Sequence, residues 1–172
     1  MTIFTQLLNS APASRVRRNH GLEHATMNVL AANHPTTNLA GHSDLSGFWL
    51  VGNVSTEEVA EAVFQGLARM KEGEHELAIH ANCGTNFVAV GLVAGIAAWL
   101  GMLGVGRGFR QKLERLPLVI SLTTAAMIFA QPLGPILQEK VTTSGEPGEL
   151  QVTQIIATHQ GPFQAHHIVT KG

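Results

Sequence analysis

The stretch RVRRNHGLEHATMNVLAAN, residues 15–33, predicts the helix around which the N-terminal part of the chain is arranged. Pro35 ends this helix, because a proline cannot donate the next backbone hydrogen bond. One helical face collects the residues that would enter a core, at spacings of three and four: Leu22, Thr26, Val29 and Leu30. A helix with one such face needs a second layer to pack against.

Strand and helix patterns follow this helix along the chain. A second helix is predicted from 56 to 71, because Ser55 and Glu58 have the spacing of a capping box at its start. Strands are predicted at 37–42, 47–53 and 76–81. The order helix, strand, strand, helix, strand indicates an α+β fold, with an antiparallel sheet packed on the two helices.

Two uncharged apolar segments come next, at residues 87–105 and 117–137. Each is long enough to cross a hydrocarbon core of about 30 Å as a helix. Gly91 and Gly95 have the small-xxx-small spacing that closely packed membrane helices use. The alternative is a pair of buried helices in a soluble protein, but the rest of the chain is too small to surround them. We therefore predict an inserted two-helix transmembrane hairpin.

The predicted organisation has three parts. Residues 1–85 form an α+β metal-site domain, and residues 86–137 form the transmembrane hairpin. Residues 138–172 form a linker and a C-terminal β-hairpin. Because a lone hairpin is only marginally stable, we expect it to return and complete the sheet of the first domain.

Composition and charge restrict the location and the partners. The net charge of −1 and a charged fraction of 13% give no basic excess, so no nucleic-acid partner is expected. The lipid bilayer is the expected partner, and a homodimer is left open. The bend between the apolar segments is basic, which would place it in the cytoplasm and both flanking parts outside: Arg107, Arg110, Lys112 and Arg115. Residues 1–8 do not form a signal peptide, however. We therefore predict a multi-pass protein of a bacterial cell membrane whose soluble domain faces the cytoplasm.

The pattern His20-x-x-Glu23-His24 carries the candidate chemistry. Residues four apart share a helical face, so both imidazoles can reach one metal ion, and Glu23 can act as general base or acid. Cys83 is the only cysteine of the chain, and as a thiolate it is a strong ligand for zinc or iron. Two imidazoles and one thiolate leave a fourth position open, as catalytic sites do. The alternative is a helix with solvated histidine and glutamate side chains.

These motifs, in their order, resemble those of S-ribosylhomocysteine lyase. That family has an HTLEH-type motif, a GCRTGFY-type strand, a helix, and a strand that ends in CGT. The chain has HGLEH at 20–24, SGFW at 46–49, the helix at 56–71 and Cys83-Gly84-Thr85. The pitrilysin-like zinc peptidases share the broad fold and the HxxEH helix. The stretch HGLEHAT followed by paired apolar helices also resembles an uncharacterised bacterial membrane family.

The resemblance implies His20, His24 and Cys83 as ligands of Zn²⁺, or alternatively Fe²⁺, with Glu23 as the acid or base. The second catalytic cysteine of the lyase has no counterpart here, because Asp44 takes its position in the alignment. Asp44 can still carry protons, and so can His42, which takes the same position if the alignment is shifted by one gap. Whether His42 or His80 joins the site stays open.

Two functions from different classes remain. The first is a membrane-anchored, metal-dependent hydrolase that acts near the bilayer surface on a lipid-like or peptide substrate, with a lyase less favoured because the second cysteine is missing. The second is a non-catalytic metal-binding or scaffold subunit of a membrane complex. An open fourth coordination position favours the enzyme, whereas a position filled by a side chain such as His80 favours the scaffold.

Overall fold

A computed structural model describes residues 3–160 and 163–172 of the 172-residue chain, apart from the side chains of residues 159, 160 and 163. The chain divides into two compact units. The first unit comprises residues up to 80 together with 138–172, and the second comprises residues 81–137. The segments on either side of the second unit therefore fold together.

The first unit contains the two predicted helices and, before them, a short helix that the sequence patterns do not predict. They are α1 (Ile3–Leu8), α2 (Ala11–Asn33) and α3 (Thr56–Lys71). Helix α2 begins before the predicted residue 15, because Pro12 stands in its first turn, where no backbone donor is needed. The predicted capping box at the start of α3 is confirmed, since the Glu58 N–H donates to Ser55 Oγ at 3.2 Å and the Ser55 N–H donates to Glu58 Oε2 at 2.7 Å.

Neighbouring strands of the sheet are antiparallel, and the sheet combines two strands from residues 39–52 with two strands from residues 151–171. Its strands are β1 (Leu39–Ser43), β2 (Gly47–Gly52), β3 (Gln151–Gln160) and β4 (Phe163–Lys171), in the spatial order β1-β2-β4-β3. Strand β4 pairs with β2, so that Phe48 lies opposite Ile168. The expected return of the C-terminal hairpin to the sheet is confirmed. Helices α2 and α3 supply the other side of the core, whose fully buried side chains include Leu22, Leu30, Phe48, Leu50, Val59 and Ile168.

The strand predicted at 76–81 is wrong. Residues His75–Ala78 form a 3₁₀ turn, and the residues after it are not paired in the sheet. Side chains of α2 take the carbonyls that a neighbouring strand would otherwise use. Asn28 Nδ2 donates to the carbonyls of Leu77 and Ile79, each at 3.0 Å.

The second unit is helical, with α4 (Gly84–Met102), α5 (Phe109–Ala130) and α6 (Leu133–Leu137). Helices α4 and α5 are both long and apolar enough to cross a membrane. Gln131 and Pro132 separate α5 from α6. The predicted basic loop is shorter than expected, since most of its charged residues lie in the first turns of α5: Arg110, Lys112 and Arg115.

The predicted packing role of Gly91 and Gly95 is also wrong within this unit. A Cβ atom added at either glycine would meet no atom within 4 Å, whereas one at Gly101 would lie 3.1 Å from Val119 Cγ2. Helix α4 buries its small residues elsewhere, at Ala89, Ala97 and Gly101. Neither glycine is therefore a point of close contact between the helices of this unit.

Candidate metal centre

His20 and His24 lie on successive turns of α2, as the spacing predicts. Their ring centroids are 4.3 Å apart, with the rings edge to face. His24 is buried, with 2% of its surface exposed, whereas His20 is half-buried. At this separation, the two imidazoles can bind one metal ion through one nitrogen each.

Backbone carbonyls orient both rings. His24 Nδ1 lies 2.7 Å from the carbonyl oxygen of Ala78, and His20 Nδ1 lies 2.9 Å from that of Thr142. A carbonyl oxygen only accepts hydrogen bonds, so each Nδ1 carries the proton and donates it. In the neutral imidazole each Nε2 then keeps its lone pair. Histidine ligands of metals are oriented in this way by an acceptor behind the ring.

The two carbonyls belong to irregular turns that side chains hold in place. Ala78 ends the 3₁₀ turn, and Thr142 ends a π-helical turn, Gln138–Thr142. The buried side chain of Gln138 connects the two segments, because it accepts from the His80 N–H at 2.9 Å and donates to the His80 carbonyl at 3.1 Å. Single π-helical turns are frequent at functional sites.

Sequence reasoning missed the role of Gln138. The turn-forming residues of QEKVTTSGEPGE predict a linker for its segment. Gln138 and His80 are 58 positions apart, and no local pattern indicates such a contact. The weak signal available was the position of Gln138 directly after an apolar segment.

Glu23 is buried against strand β1, with 3% of its surface exposed. The Ser43 hydroxyl donates to Glu23 Oε2, and a Cβ atom at residue 41 would collide with the Glu23 carboxylate. Gly41 therefore makes room for the acid. A buried carboxylate with a hydroxyl donor is a candidate proton carrier, although sequence reasoning had identified only the glutamate and not its two neighbours on β1.

Asp44 serves the turn between β1 and β2. Its Oδ1 accepts from Ser46 N and Ser46 Oγ, both at 2.6 Å, and from Gly47 N at 3.1 Å. Burial acts to raise the pKa of Asp44, but these hydrogen bonds outweigh it and leave the pKa below its ordinary value. An ionised carboxylate that accepts three hydrogen bonds stabilises a turn. Its predicted role in proton transfer stays a prediction.

The remaining candidates lie in different places. His42 is exposed on β1, and the His80 ring centroid is 5.6 Å from that of His24. Cys83 is buried and immediately precedes α4, in the second unit. Because Cys83 follows His80 by three positions, the Cα atoms of the two residues cannot be more than about 11 Å apart.

His166 and His167 are adjacent residues of strand β4, so their side chains point to opposite faces of the sheet. His167 stacks on Trp49 with ring centroids 4.3 Å apart. His166 is fully buried, and its Nε2 lies 3.1 Å from Thr56 Oγ1. Burial lowers the pKa of His166, although the Glu57 carboxylate acts in the opposite direction. Within the described part of the chain, His166 Nδ1 has no hydrogen-bond partner.

Comparisons with known proteins agree with one part of the expected resemblance. A family model described as "Domain of unknown function (DUF6391)" matches residues 15–155. An uncharacterized protein of Picosynechococcus sp. (strain ATCC 27264 / PCC 7002 / PR-6) is 34% identical over 142 residues, which cover 75% of this chain. The matched region spans 66% of that relative's length. No solved structure matches. The expectation of an uncharacterised family is confirmed, whereas the likeness to the lyase and to the pitrilysin-like peptidases stays a prediction.

Proposed function

Because the chain belongs to the DUF6391 family, whose function is unknown, we propose a function from the chemistry of its own residues: a membrane-anchored, metal-dependent hydrolase. The ligands in this proposal are His20, His24 and Cys83, and Glu23 is the general base. The observation that carries it is the pair of hydrogen bonds from His20 Nδ1 and His24 Nδ1 to backbone carbonyls. This arrangement prepares two Nε2 atoms to bind the same ion.

The types of donor support a metal ion of intermediate softness. The proposed donor set consists of two imidazoles and one thiol: His20, His24 and Cys83. Zn²⁺ suits this set, and Fe²⁺ is the alternative. Three protein ligands would leave a fourth position open, and a bound zinc ion would supply Lewis acidity there.

Glu23 is the residue of the proposed site that would move protons. Its carboxylate is buried, and the Ser43 hydroxyl holds one of its oxygens. The carboxylate of Asp44 is occupied by the turn that follows β1. We therefore assign proton transfer to Glu23 and favour hydrolysis over the lyase reaction, which uses a second cysteine that is absent here.

The proposed location is a bilayer surface. Helices α4 and α5 have the length and apolarity of membrane spans, and Cys83 directly precedes α4. A site that includes Cys83 would thus act at the end of a membrane span, on a lipid-like or membrane-peptide substrate. The proposal retains a bacterial cell membrane and a soluble unit that faces the cytoplasm.

Metal analysis of the purified full-length protein tests the proposal. We expect about one equivalent of zinc or iron per wild-type chain and a loss of that metal in His24→Ala and Cys83→Ser. His75→Ala is the matched control, because His75 is an exposed histidine of the 3₁₀ turn. Glu23→Gln should keep the metal and lose hydrolysis of lipid or peptide esters and amides. A wild-type protein without stoichiometric metal, or variants that retain it, would contradict the proposal.

A non-catalytic metal-binding or scaffold subunit is the second candidate. The observation that favours it is the proximity of the His80 ring to the His24 ring, at 5.6 Å between centroids. X-ray absorption spectroscopy of the metal-loaded protein separates the two candidates. Two nitrogen ligands, one sulfur ligand and one oxygen ligand indicate the enzyme. Three nitrogen ligands and one sulfur ligand, with one nitrogen lost in His80→Ala, indicate the scaffold.

A further inference from the structure

A cavity of about 650 Å³ lies within the second unit, between the start of α4, the end of α5 and α6. Its volume falls in the range of about 300–1,000 Å³ that is usual for small-molecule sites. Most of its wall is apolar and comes from Phe87, Val90, Gly91 and Met127, whereas Asn82 and Gln131 contribute polar groups. Its lining contains no charged side chain.

The polar and apolar parts of this cavity are separated along the helices. Asn82 precedes α4 and Gln131 follows α5, and the two helices are antiparallel neighbours, so both polar side chains belong to the same end of the helix pair. Gly91 and Met127 lie further along the helices, with Gly91 about 10 Å beyond the first residue of α4. The cavity is therefore polar at one end and apolar along its length.

Gly91 keeps the apolar part open. A Cβ atom at this position would meet no atom within 4 Å, so a larger side chain there would extend into free space beside Phe87 and Val90. The side chain of Asn86 is engaged at the polar end, where its Nδ2 donates to the Ala81 carbonyl at 2.6 Å. Asn82 and Gln131 remain as the amides that can face a ligand.

We propose that this cavity binds one single-chain amphiphile, with its hydrocarbon chain along Phe87, Val90 and Met127 and an uncharged polar head group at the amides of Asn82 and Gln131. The absence of charge from the lining argues against a carboxylate or a phosphate as the group that is recognised, because a buried ion requires a partner. Binding of such an amphiphile is a separate property of the second unit and does not require a metal ion at the proposed metal centre. Only the identification of this amphiphile as the substrate rests on the proposed hydrolase function.

Photolabelling of the full-length protein tests the inference. The protein is placed in phosphatidylcholine nanodiscs and exposed to a long-chain monoacylglycerol that carries a diazirine in its acyl chain. We expect saturable labelling at one equivalent per chain, located by peptide mapping around Val90 and Met127, and suppressed by an excess of unmodified monoacylglycerol. Labelling that does not saturate and that spreads over the outer surfaces of α4 and α5 would indicate bulk bilayer lipid and overturn the inference.

Two glycine variants provide the matched comparison. Gly91→Trp places an indole in the apolar part of the cavity and should weaken probe binding about tenfold or more. Gly95→Trp places the same side chain one turn further along α4, also in free space, but outside the cavity lining. It should bind the probe like the wild type. Equal losses in both variants would show that the glycine face itself, and not the cavity, controls labelling, and would overturn the inference.

His24→Ala separates this inference from the proposed function. Its substitution lies in the first unit and removes a proposed metal ligand, so the cavity of the second unit should still bind the probe. Saturable labelling of a metal-free protein supports the amphiphile site even if the hydrolase proposal fails. Metal binding without saturable labelling contradicts the amphiphile site and leaves the metal proposal intact.

Discussion

The two units of the chain differ in how far they expose their large apolar side chains. In the first unit, Phe48, Leu50 and Ile168 are fully buried between the sheet and two helices. In the second unit, Leu92 is 64% exposed and Phe129 is 80% exposed. The first unit thus has the burial pattern of a protein that folds in water, whereas the second presents apolar surface outward along helices that can span a membrane.

The two units also differ in the polar side chains that they bury. The first unit buries Asn19, Glu23 and Gln138, and each of them is hydrogen-bonded to another part of the unit. Buried polar groups of this kind specify one arrangement, because leaving a partner unpaired costs about 1–3 kcal/mol. In the described part of the second unit the buried residues are Cys83 and residues no larger than alanine, so its helices depend on close packing of small residues such as Gly101.

A charge placed at the centre of α4 tests this difference between the units most strongly. We expect Leu92→Arg to disfavour membrane insertion by about 3 kcal/mol, because an arginine at the middle of a membrane span lacks water. The measurement is the fraction of protein that stays in the membrane after an alkaline wash.

Phe64→Arg is the matched control on α3, where Phe64 is 55% exposed. In water this exposed substitution should change the free energy of unfolding by no more than about 0.5 kcal/mol. If Leu92→Arg is as harmless as Phe64→Arg, then α4 does not cross a bilayer and the contrast between the units has another cause.

The next largest effect should follow from removing the side chain that connects the two irregular turns. Gln138→Leu leaves the His80 N–H and carbonyl without that amide, so we expect a loss of about 1–3 kcal/mol in the free energy of unfolding. Because the carbonyl that orients His20 belongs to the same π-helical turn, metal affinity should also fall by about 10–100-fold.

Chemical denaturation and a zinc competition assay measure the two effects of Gln138→Leu separately. Gln154→Leu makes the same chemical change at an exposed position on β3 and should alter neither quantity. Reduced stability with unchanged zinc affinity would show that Gln138 supports the fold without positioning His20.

Gln138 also marks the limit of what the sequence could predict. Local spacing predicted that His20 and His24 share a face, and a capping box predicted the start of α3; both depend on residues within four positions of each other. The strand predicted at 76–81 failed because Asn28, a distant residue of α2, takes its carbonyls. Contacts between residues far apart in the chain leave no local pattern, and most of the polar support of the site consists of such contacts.

A smaller effect is expected at a helix cap that the sequence did predict. Ser55→Ala removes the hydroxyl that accepts from the Glu58 N–H, so we expect the free energy of unfolding to fall by about 1 kcal/mol. Ser10→Ala is the matched control, because Ser10 also precedes a helix, but its hydroxyl donates to the Leu7 carbonyl and caps no N–H group of α2. Equal losses in the two variants, measured by urea denaturation, would contradict a specific role for the capping box.

The smallest expected effect is a dependence of the first unit on pH through His166. Burial lowers the pKa of this imidazole, so the unfolded chain binds the proton more readily than the folded chain does. Stability should therefore be complete above the ordinary histidine pKa of about 6.5 and should decline as the pH falls from there toward the lowered pKa.

The fluorescence of Trp49 in a Trp99→Phe background reports unfolding of this unit alone, since Trp49 lies in β2 and Trp99 in α4. His166→Gln should flatten the decline, whereas His42→Gln, at an exposed position on β1, should preserve it. A decline that persists in His166→Gln would assign the pH dependence to other histidines and leave the buried ring of β4 without an effect on stability.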